Sequence, residues 1–288
     1  MKPVITATLV QALRARTGAG MMDCKKALSE TNGDLELAVE FLQKAGQMQA
    51  DKKASRVAAE GLIAVTYNSE RAVLLEVNCE TDFVSRDDHF KVFTEQLAQL
   101  LSANLVVNSV DDLLACIFAG ADHSVEAERQ QLVAKLGENI QIRRLAVINA
   151  HPGIHVGGYV HMGRVGVIIE LQGGDQTLAK DLAMHIVAND TLAISVDDLT
   201  PEMLASKRAL FAEQLEASGK PAAVLEKMVN ERLEKFIDES ILLRQPFMKD
   251  PSITVQELLK QANAKVLRGI EKQVENFAET VMAQIKSS

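Results

Sequence analysis

The sequence is poor in aromatic residues and has no excess of positive charge. Tryptophan is absent and aromatic residues make up only 4% of the chain, so stacking platforms for nucleic-acid bases are not expected. Lys and Arg number 31 against 39 Asp and Glu, which gives a formal net charge of −8. Because nucleic-acid affinity rests mainly on pairing basic side chains with phosphates, this balance disfavours direct nucleic-acid binding and suits a protein that works among other proteins.

Cysteines are also few, and long apolar runs are missing. Cys24, Cys79 and Cys116 form no closely spaced pair and are odd in number, which is typical of a reduced, cytosolic compartment. The N-terminal stretch is interrupted by Arg14 and Arg16, unlike a signal peptide. No apolar run approaches the roughly 18 residues of a membrane span. We therefore predict a cytoplasmic protein without membrane association.

Catalytic signatures are missing as well. The sequence has no nucleotide-hydrolase phosphate loop, no dinucleotide fingerprint after a strand, no zinc-protease motif and no nucleophile elbow. His151, His155 and His161 are close in sequence, but no carboxylates stand between them to complete a metal site. Cys24 and Cys79 are expected to be small buried hydrophobic residues rather than nucleophiles. These residues therefore indicate no catalytic function and no metal or cofactor.

The first part of the chain predicts a small helical module. Apolar residues recur at helical spacing in three segments within residues 1–46, and glycine-containing breaks separate the segments. Met21 and Met22 are adjacent, so we expect one in the core and the other exposed. Residues 47–56 are polar and are interpreted as a linker.

Two hairpin-plus-helix units are predicted next, because two alternating apolar segments flank a turn and precede a helix in each. The elements of the first unit are a hairpin at 62–67 and 72–77, helices at 87–102, 110–119 and 124–136, and a strand at 140–148. Those of the second are a hairpin at 158–162 and 165–171 and a helix at 175–188. The similar second strands, VLLEV and VIIEL, indicate an internal duplication.

These elements predict an α+β fold class. Thr200-Pro201 begins a long helix, and Ser218-Gly219-Lys220-Pro221 separates it from another, which predicts a helical hairpin. The predicted organisation is a three-helix module at 1–46, a linker at 47–56, a first α+β core subdomain at 57–150, a second at 151–190 and 244–267, an inserted helical hairpin at 191–243, and a C-terminal helix at 268–288.

The two units differ where the second strand meets the following helix. Gln172-Gly173-Gly174-Asp175 makes this connection in the second unit, whereas the first has a longer segment that contains Thr81-Asp82-Phe83-Val84. Two interpretations stay open from the residues alone. Phe83 and Val84 could pack on the following helix while Asp82 caps it, or the segment could present an apolar wedge beside a carboxylate to a partner.

Four segments carry a resemblance to a known family. They are LRARTGAGMMDCKKAL at 13–28, EVNCETDFV at 76–84, GENIQIRR at 137–144 and QPF at 245–247. In order along nearly the whole chain, they resemble bacterial elongation factor Ts, the guanine-nucleotide exchange factor for the translational GTPase elongation factor Tu. The resemblance implies a ubiquitin-associated-like fold for the N-terminal module, two related α+β subdomains, and dimerisation as the role of the inserted hairpin.

The resemblance also implies a mechanism and a set of site residues. The partner would be elongation factor Tu, in its GDP-bound and nucleotide-free forms, with a homodimer or a 2:2 complex through the hairpin left open. A matched loop would enter the partner's nucleotide domain, disturb its Mg²⁺ and phosphate site, and so promote GDP release. The matched residues are Thr81, Asp82, Phe83 and Val84 in the loop, and Arg14, Met21, Met22, Lys25 and His161 at other contacts.

One departure and two competing functions complete the predictions. The family's strand before the last helix has no evident counterpart, because Asn263–Leu267 runs almost directly into residues 268–272, so the second subdomain is expected to lack an edge strand or to dock its last helix differently. A structural adaptor would keep Phe83 packed in the core. A metal- or thiol-dependent enzyme using the histidines and Cys79 would carry a bound metal.

Overall fold

The computed structural model describes residues 4–189, 191–216, 221–273 and 284–286. These residues divide into two compact units, one from 4–64 and 75–145 and the other from 65–74, 146–273 and 284–286. The N-terminal helices therefore belong to the same unit as much of the first predicted core subdomain. Within the described ranges, no helix combines the length and the apolarity needed to cross a lipid bilayer.

The chain begins with three helices, as predicted: α1 (Ala7–Thr17), α2 (Met21–Glu30) and α3 (Leu35–Lys53). The Thr6 hydroxyl accepts a hydrogen bond from the Leu9 N–H (3.3 Å), and the Asp34 carboxylate accepts one from the Leu37 N–H (3.0 Å). These contacts cap α1 and α3. The buried residues that hold the three helices together are Val10, Leu13, Cys24, Ala27, Leu28 and Ala38.

The linker predicted at 47–56 is wrong over most of its length, because α3 continues to Lys53. Its second half packs on α7 (Val125–Leu136). Gly46 and Ala50 are buried, and a Cβ atom at Gly46 would lie 3.6 Å from the Gln130 carbonyl oxygen. Small residues four positions apart on one helix face allow this close approach. The packing surface stabilises a helix whose own sequence is mostly polar.

The remaining elements of the first sheet and its helices lie close to their predicted positions. The bounds are β1 (Glu60–Tyr67), β2 (Arg71–Cys79), α4 (Asp82–Ser85), α5 (Asp88–Ala103), α6 (Val110–Ala115), α7 and β3 (Gln141–Asn149). The strand order is β1-β2-β3, and every residue of the central strand β2 is buried. Helix α6 is shorter than the predicted helix at 110–119.

The second unit contains a larger sheet and the helical hairpin. Its elements are β4 (Ile154–His161), β5 (Val165–Gln172), α8 (Gln176–Ala188), α9 (Pro201–Glu216), α10 (Ala222–Ser240), β6 (Pro246–Phe247), β7 (Asp250–Thr254), α11 (Val255–Gln261), β8 (Lys265–Gln273) and β9 (Gln284–Lys286). Strands β4, β5, β8 and β9 form one antiparallel sheet in that order. Helix α8 packs so close to β4 that a Cβ atom at Gly157 would lie 2.8 Å from Ala179.

The predicted helix at 268–288 is wrong where the structure describes it. Residues 268–273 belong to β8, which pairs with β5 and places Ile270 opposite Ile168. Residues 284–286 form β9, and the rest of the predicted helix lies outside the described residues. The expectation that the second subdomain lacks an edge strand, or docks a last helix there differently, is therefore also wrong for the described residues, where β8 and β9 extend the sheet. The pairing with β5 supplies the hydrogen bonds that a helix would have made internally.

The predicted helical hairpin is represented by α9 and α10. The two helices pack against each other through the rings of Phe211 and Phe236, whose centroids are 6.3 Å apart. The connection at 217–220 lies outside the described residues. A small buried cluster that includes Leu199, Ile237 and Ile241 anchors the pair at one end.

Candidate functional site

The segment between β2 and α5 forms one helical turn with a partly exposed surface. The Ser85 N–H donates to the Thr81 carbonyl (3.2 Å), and the Arg86 N–H donates to the Asp82 carbonyl (3.2 Å). The Cys79 thiol donates to the Thr81 carbonyl (3.2 Å) from the end of β2. The backbone of this turn is therefore fixed at both ends.

Phe83 and Val84 point in opposite directions from this turn. The Phe83 side chain is 82% exposed, whereas Val84 is 7% exposed. The interpretation in which both residues pack on the following helix is therefore wrong for Phe83, and so is the core-packed Phe83 expected of an adaptor. Val84 is buried and anchors the turn, and its role as a partner contact stays a prediction.

Asp82 lies beside Phe83 at the start of the turn. Its carboxylate pairs with the Arg86 guanidinium at 3.0 Å, and the two side chains are 46% and 78% exposed. The predicted capping of the following helix by Asp82 is wrong, because Asp87 caps α5 and Asp82 is the first residue of α4. The turn therefore presents an aromatic ring next to an exposed ion pair.

Glu138 braces the turn from a distant part of the sequence. Its carboxylate accepts hydrogen bonds from the Glu80 N–H (3.0 Å), the Thr81 N–H (2.9 Å) and the Thr81 hydroxyl (2.6 Å). The Asn139 N–H in turn donates to the Glu80 carboxylate (2.6 Å). Hydrogen bonds to an ionised group are stronger than neutral ones, so the base of the turn is held firmly.

A second candidate surface lies on the N-terminal helices. Met21, Met22 and Lys25 are all exposed on α2, while Cys24, Ala27 and Leu28 take its buried face. The expectation that one of the two methionines lies in the core is wrong, because the neighbouring Cys24 fills that place. Arg14 is exposed on α1, so this surface combines flexible apolar side chains with two positive charges.

His161 occupies the last position of β4, at the tip of the β4–β5 hairpin. It is exposed, and its ring lies 6.4 Å from the ring of Tyr159. Met162 follows at φ 51° with 83% of its side chain exposed. Sequence reasoning missed Met162, although a methionine in a turn before glycine was a usable signal.

The residues predicted to be chemically inert have ordinary surroundings. Cys24 and Cys79 are buried, as expected, and burial raises the pKa of the Cys24 thiol. Among the described residues, no three His, Cys, Asp or Glu side chains come together in a metal-binding arrangement. The proposed grouping of His151, His155 and His161 with Cys79 is therefore not present as a metal site in that part of the chain.

Comparison with known proteins bears on these surfaces. The model of the family described as elongation factor TS matches residues 80–278, a range that includes the braced turn and His161. The chain is 48% identical to elongation factor Ts of Thioalkalivibrio sulfidiphilus, with 99% of each chain covered. The chain belongs to the elongation factor Ts family. The elongation factor Ts proteins of Legionella pneumophila and Francisella tularensis subsp. novicida are each 46% identical to it, over 98% of this chain and 99% of theirs.

Membership of the elongation factor Ts family confirms the resemblance drawn from the four sequence motifs. It identifies the chain as a translation elongation factor and leaves the roles of individual residues to physical argument. Glu138 lies within the motif at 137–144, but the sequence indicates no role for it, because its contacts with Glu80 and Thr81 span more than fifty residues. Its position one residue after Gly137, which ends α7 at φ 79°, was the available signal.

Proposed function

We propose that the protein is a guanine-nucleotide exchange factor that accelerates GDP release from elongation factor Tu. The observation that carries the proposal is Phe83, an aromatic ring 82% exposed on a braced turn in a member of the elongation factor Ts family. Aromatic side chains that fill a partner's pocket commonly dominate the binding energy of an interface. A ring held outward on a fixed turn is suited to act as such a wedge.

The turn would act on the partner's metal and phosphate site. Phe83 inserts between side chains of the nucleotide domain, and Thr81 and Asp82 make polar contacts beside it. The insertion displaces the elements that hold Mg²⁺, which is the largest local positive charge opposing the diphosphate. GDP then dissociates faster and GTP enters.

Exchange requires a difference in affinity between partner states. The protein must bind nucleotide-free elongation factor Tu more tightly than the GDP-bound form, since a ligand with equal affinity for both shifts nothing. By linkage, GDP and GTP weaken the protein's own binding to the same extent. The factor is released after each exchange and is not consumed. In this proposal it makes and breaks no covalent bond and is not an enzyme in that sense.

The other exposed surfaces would hold the partner while the turn acts. Arg14, Met21, Met22 and Lys25 form one contact on the N-terminal helices, and His161 with Met162 forms another on the β4–β5 hairpin. In this proposal the protein works in the cytoplasm without membrane or nucleic-acid contact. The hairpin of α9 and α10 is the candidate surface for a homodimer or a 2:2 complex.

Stopped-flow release of a fluorescent GDP from purified elongation factor Tu tests the proposal. Wild type, Phe83→Ala and the control Val106→Ala are compared at low and high Mg²⁺; Val106 is 80% exposed in a loop of the same unit. We expect wild type and Val106→Ala to accelerate release, and Phe83→Ala to lose about 100-fold in kcat/KM, as for an interface hot spot. Absence of acceleration by the wild type overturns the proposal.

A further inference from the structure

We infer that Glu138 is a positioning residue for exchange, and that Glu138 and Asn139 together join the Phe83 turn to the end of α3. The inference rests on the proposed function, because it assigns a role to the support of the turn that would enter the partner. Glu138 and Asn139 are both less exposed than Phe83, and Asn139 is only 1% exposed. They act through other residues and do not themselves form a contact surface.

The backbone just before the turn donates its hydrogen bonds to Glu138. Glu80 and Thr81 lie between the last residue of β2 and the first residue of α4, so their N–H groups have no place in the internal hydrogen bonding of the helix. Both N–H groups donate to Oε2 of Glu138, at 3.0 and 2.9 Å, and the Thr81 hydroxyl donates to Oε1 at 2.6 Å. One carboxylate therefore fixes the two residues that precede Asp82 and Phe83.

Hydrogen bonds run in both directions between residues 80–81 and residues 138–139, and we call this pair of segments the clamp. The Asn139 N–H donates to Oε1 of Glu80 at 2.6 Å, and the Arg56 guanidinium lies 3.5 Å from the same oxygen. Residues 80–81 thus donate to residue 138, while residue 80 accepts from residue 139. Two segments that exchange hydrogen bonds in both directions restrict each other's position more than a single contact does.

Asn139 also holds the end of α3. The Asn139 side-chain amide donates to the carbonyl oxygens of Arg56 (2.7 Å) and Ala54 (3.4 Å). The Lys53 ammonium, at the last residue of α3, donates to the carbonyl of Gly137. Residues 137–139 therefore contact both the helix that continues from the N-terminal module and the turn that carries Phe83. All of these residues belong to the first compact unit.

This junction would matter for exchange because it orders two proposed contact surfaces before the partner arrives. Phe83 is on a four-residue helix and is mostly exposed, so the packing of its own ring does little to hold it. Ordering such a segment only on binding would subtract from the affinity. A turn clamped at its base avoids most of that loss, and a fixed link to α3 keeps it in register with Met21, Met22 and Lys25.

Glu138→Gln is the direct test, with Glu95→Gln as the matched control. Glutamine keeps the size of the side chain but loses the charge and one acceptor oxygen; Glu95 is exposed on α5. We expect Glu138→Gln to lower kcat/KM for GDP release about tenfold, the loss expected for weakened hydrogen bonds to an ionised group. The loss should appear mainly in KM, because the ordering cost applies equally to the bound complex and the transition state.

Two further measurements separate positioning from a general loss of stability. Amide hydrogen exchange of residues 80–84 in the free protein should speed up in Glu138→Gln and not in Glu95→Gln. In a Phe83→Ala background, Glu138→Gln should have little additional effect on GDP release, since it acts through Phe83. If Glu138→Gln does not fold, Thr81→Val removes only the 2.6 Å contact. Because Thr81 is itself a proposed partner contact, this variant is read by hydrogen exchange of the free protein alone, where a smaller increase is expected.

Failure of the positioning role and failure of the proposed function give different experimental results. If wild type does not accelerate GDP release, the proposed function fails, and hydrogen exchange still reports on the clamp alone. If wild type is active and Glu138→Gln matches Glu95→Gln in both GDP release and hydrogen exchange, the positioning role is overturned. Full additivity of Glu138→Gln and Phe83→Ala would overturn it as well.

Discussion

The connections from β2 to α5 and from β5 to α8 join the same kinds of elements in different ways. Both end on an aspartate that caps the next helix, Asp87 at the His89 N–H (2.8 Å) and Asp175 at the Leu178 N–H (2.7 Å). Residues 173–175 suffice for the second connection, whereas residues 80–87 make the first and include the turn of α4. A strand and a helix of this arrangement can therefore be joined without an exposed phenylalanine.

The shorter connection is closed by glycine, and the longer one by a carboxylate from elsewhere in the chain. Gly173 and Gly174 have φ values of +70° and +63° and pack against residues 263–264. In the longer connection, hydrogen bonds to the Glu138 carboxylate fix the backbone instead. The second connection is thus closed by local backbone geometry, whereas the first also carries a ring that is 82% exposed.

The largest loss of stability is expected from Gly173→Ala in the shorter connection. A Cβ atom there would lie 2.3 Å from the Asn263 carbonyl oxygen, and the backbone is in the left-handed region. We expect a loss of stability of about 3 kcal/mol or more, measured by urea unfolding followed by circular dichroism. Gly120→Ala is the control, because Gly120 has φ +79° but a Cβ atom added there would meet nothing within 4 Å, and it should cost about 1 kcal/mol. Equal losses would show that the shorter connection is not tightly packed.

The next effect separates the two neighbours in the longer connection. Val84→Ala removes buried methyl groups and should destabilise the protein by about 2 kcal/mol. Phe83→Ala removes an exposed ring and should change the stability by less than about 0.5 kcal/mol. Thermal unfolding midpoints of the two variants test this, and a larger loss in Phe83→Ala would mean that the ring packs in the core after all.

Much of the fold follows from the sequence because its signals are local. Alternating apolar residues predicted both hairpins, and the helices predicted at 87–102 and 175–188 correspond to α5 and α8. The second half of α3 was missed because its buried face consists of Gly46 and Ala50, which carry no apolar signal until α7 is placed against them.

The strand β8 shows a different limit. Val266 and Ile270 are four residues apart, a spacing that fits one face of a helix. In β8 they pair instead with Leu171 and Ile168, which lie on opposite faces of β5, because the register shifts between Glu170 and Leu171. The choice is made by β5, which pairs with β8 from nearly a hundred residues earlier in the chain. The sequence also indicates Thr81 to Val84 as candidate site residues, but it does not predict which of them points outward or that Glu138 braces them, because both depend on distant packing.

A smaller effect, a pH dependence of stability, is expected in the second unit. It arises on α8, the helix that follows the shorter connection. His185 is buried on α8; its Nδ1 accepts from the Met248 N–H (3.2 Å), so Nε2–H donates to Gln245 (2.8 Å). Burial lowers the pKa of His185 below its ordinary value of 6.5. His185 therefore binds a proton more readily in the unfolded chain than in the folded protein. The contribution of His185 to stability is complete above pH 6.5 and is lost as the pH falls below that value.

Thermal unfolding midpoints between pH 7.5 and 5 measure this dependence. We expect the midpoint to fall towards pH 5 in the wild type, and to fall less in His185→Gln. His151→Gln is the control, because His151 is exposed and its substitution should leave the slope unchanged. An unchanged slope in His185→Gln would contradict the assignment of the pH dependence to this residue.

The smallest stability effect is expected at the ion pair beside Phe83, and it is the most informative about function. Asp82→Asn and Arg86→Gln each break the same exposed pair, so each should cost less than about 0.5 kcal/mol of stability. If Asp82 contacts elongation factor Tu, Asp82→Asn should slow GDP release several-fold more than Arg86→Gln, although their unfolding midpoints agree. If both slow it equally, Asp82 acts through Arg86, and Phe83 alone would distinguish the longer connection from the shorter one as a contact surface.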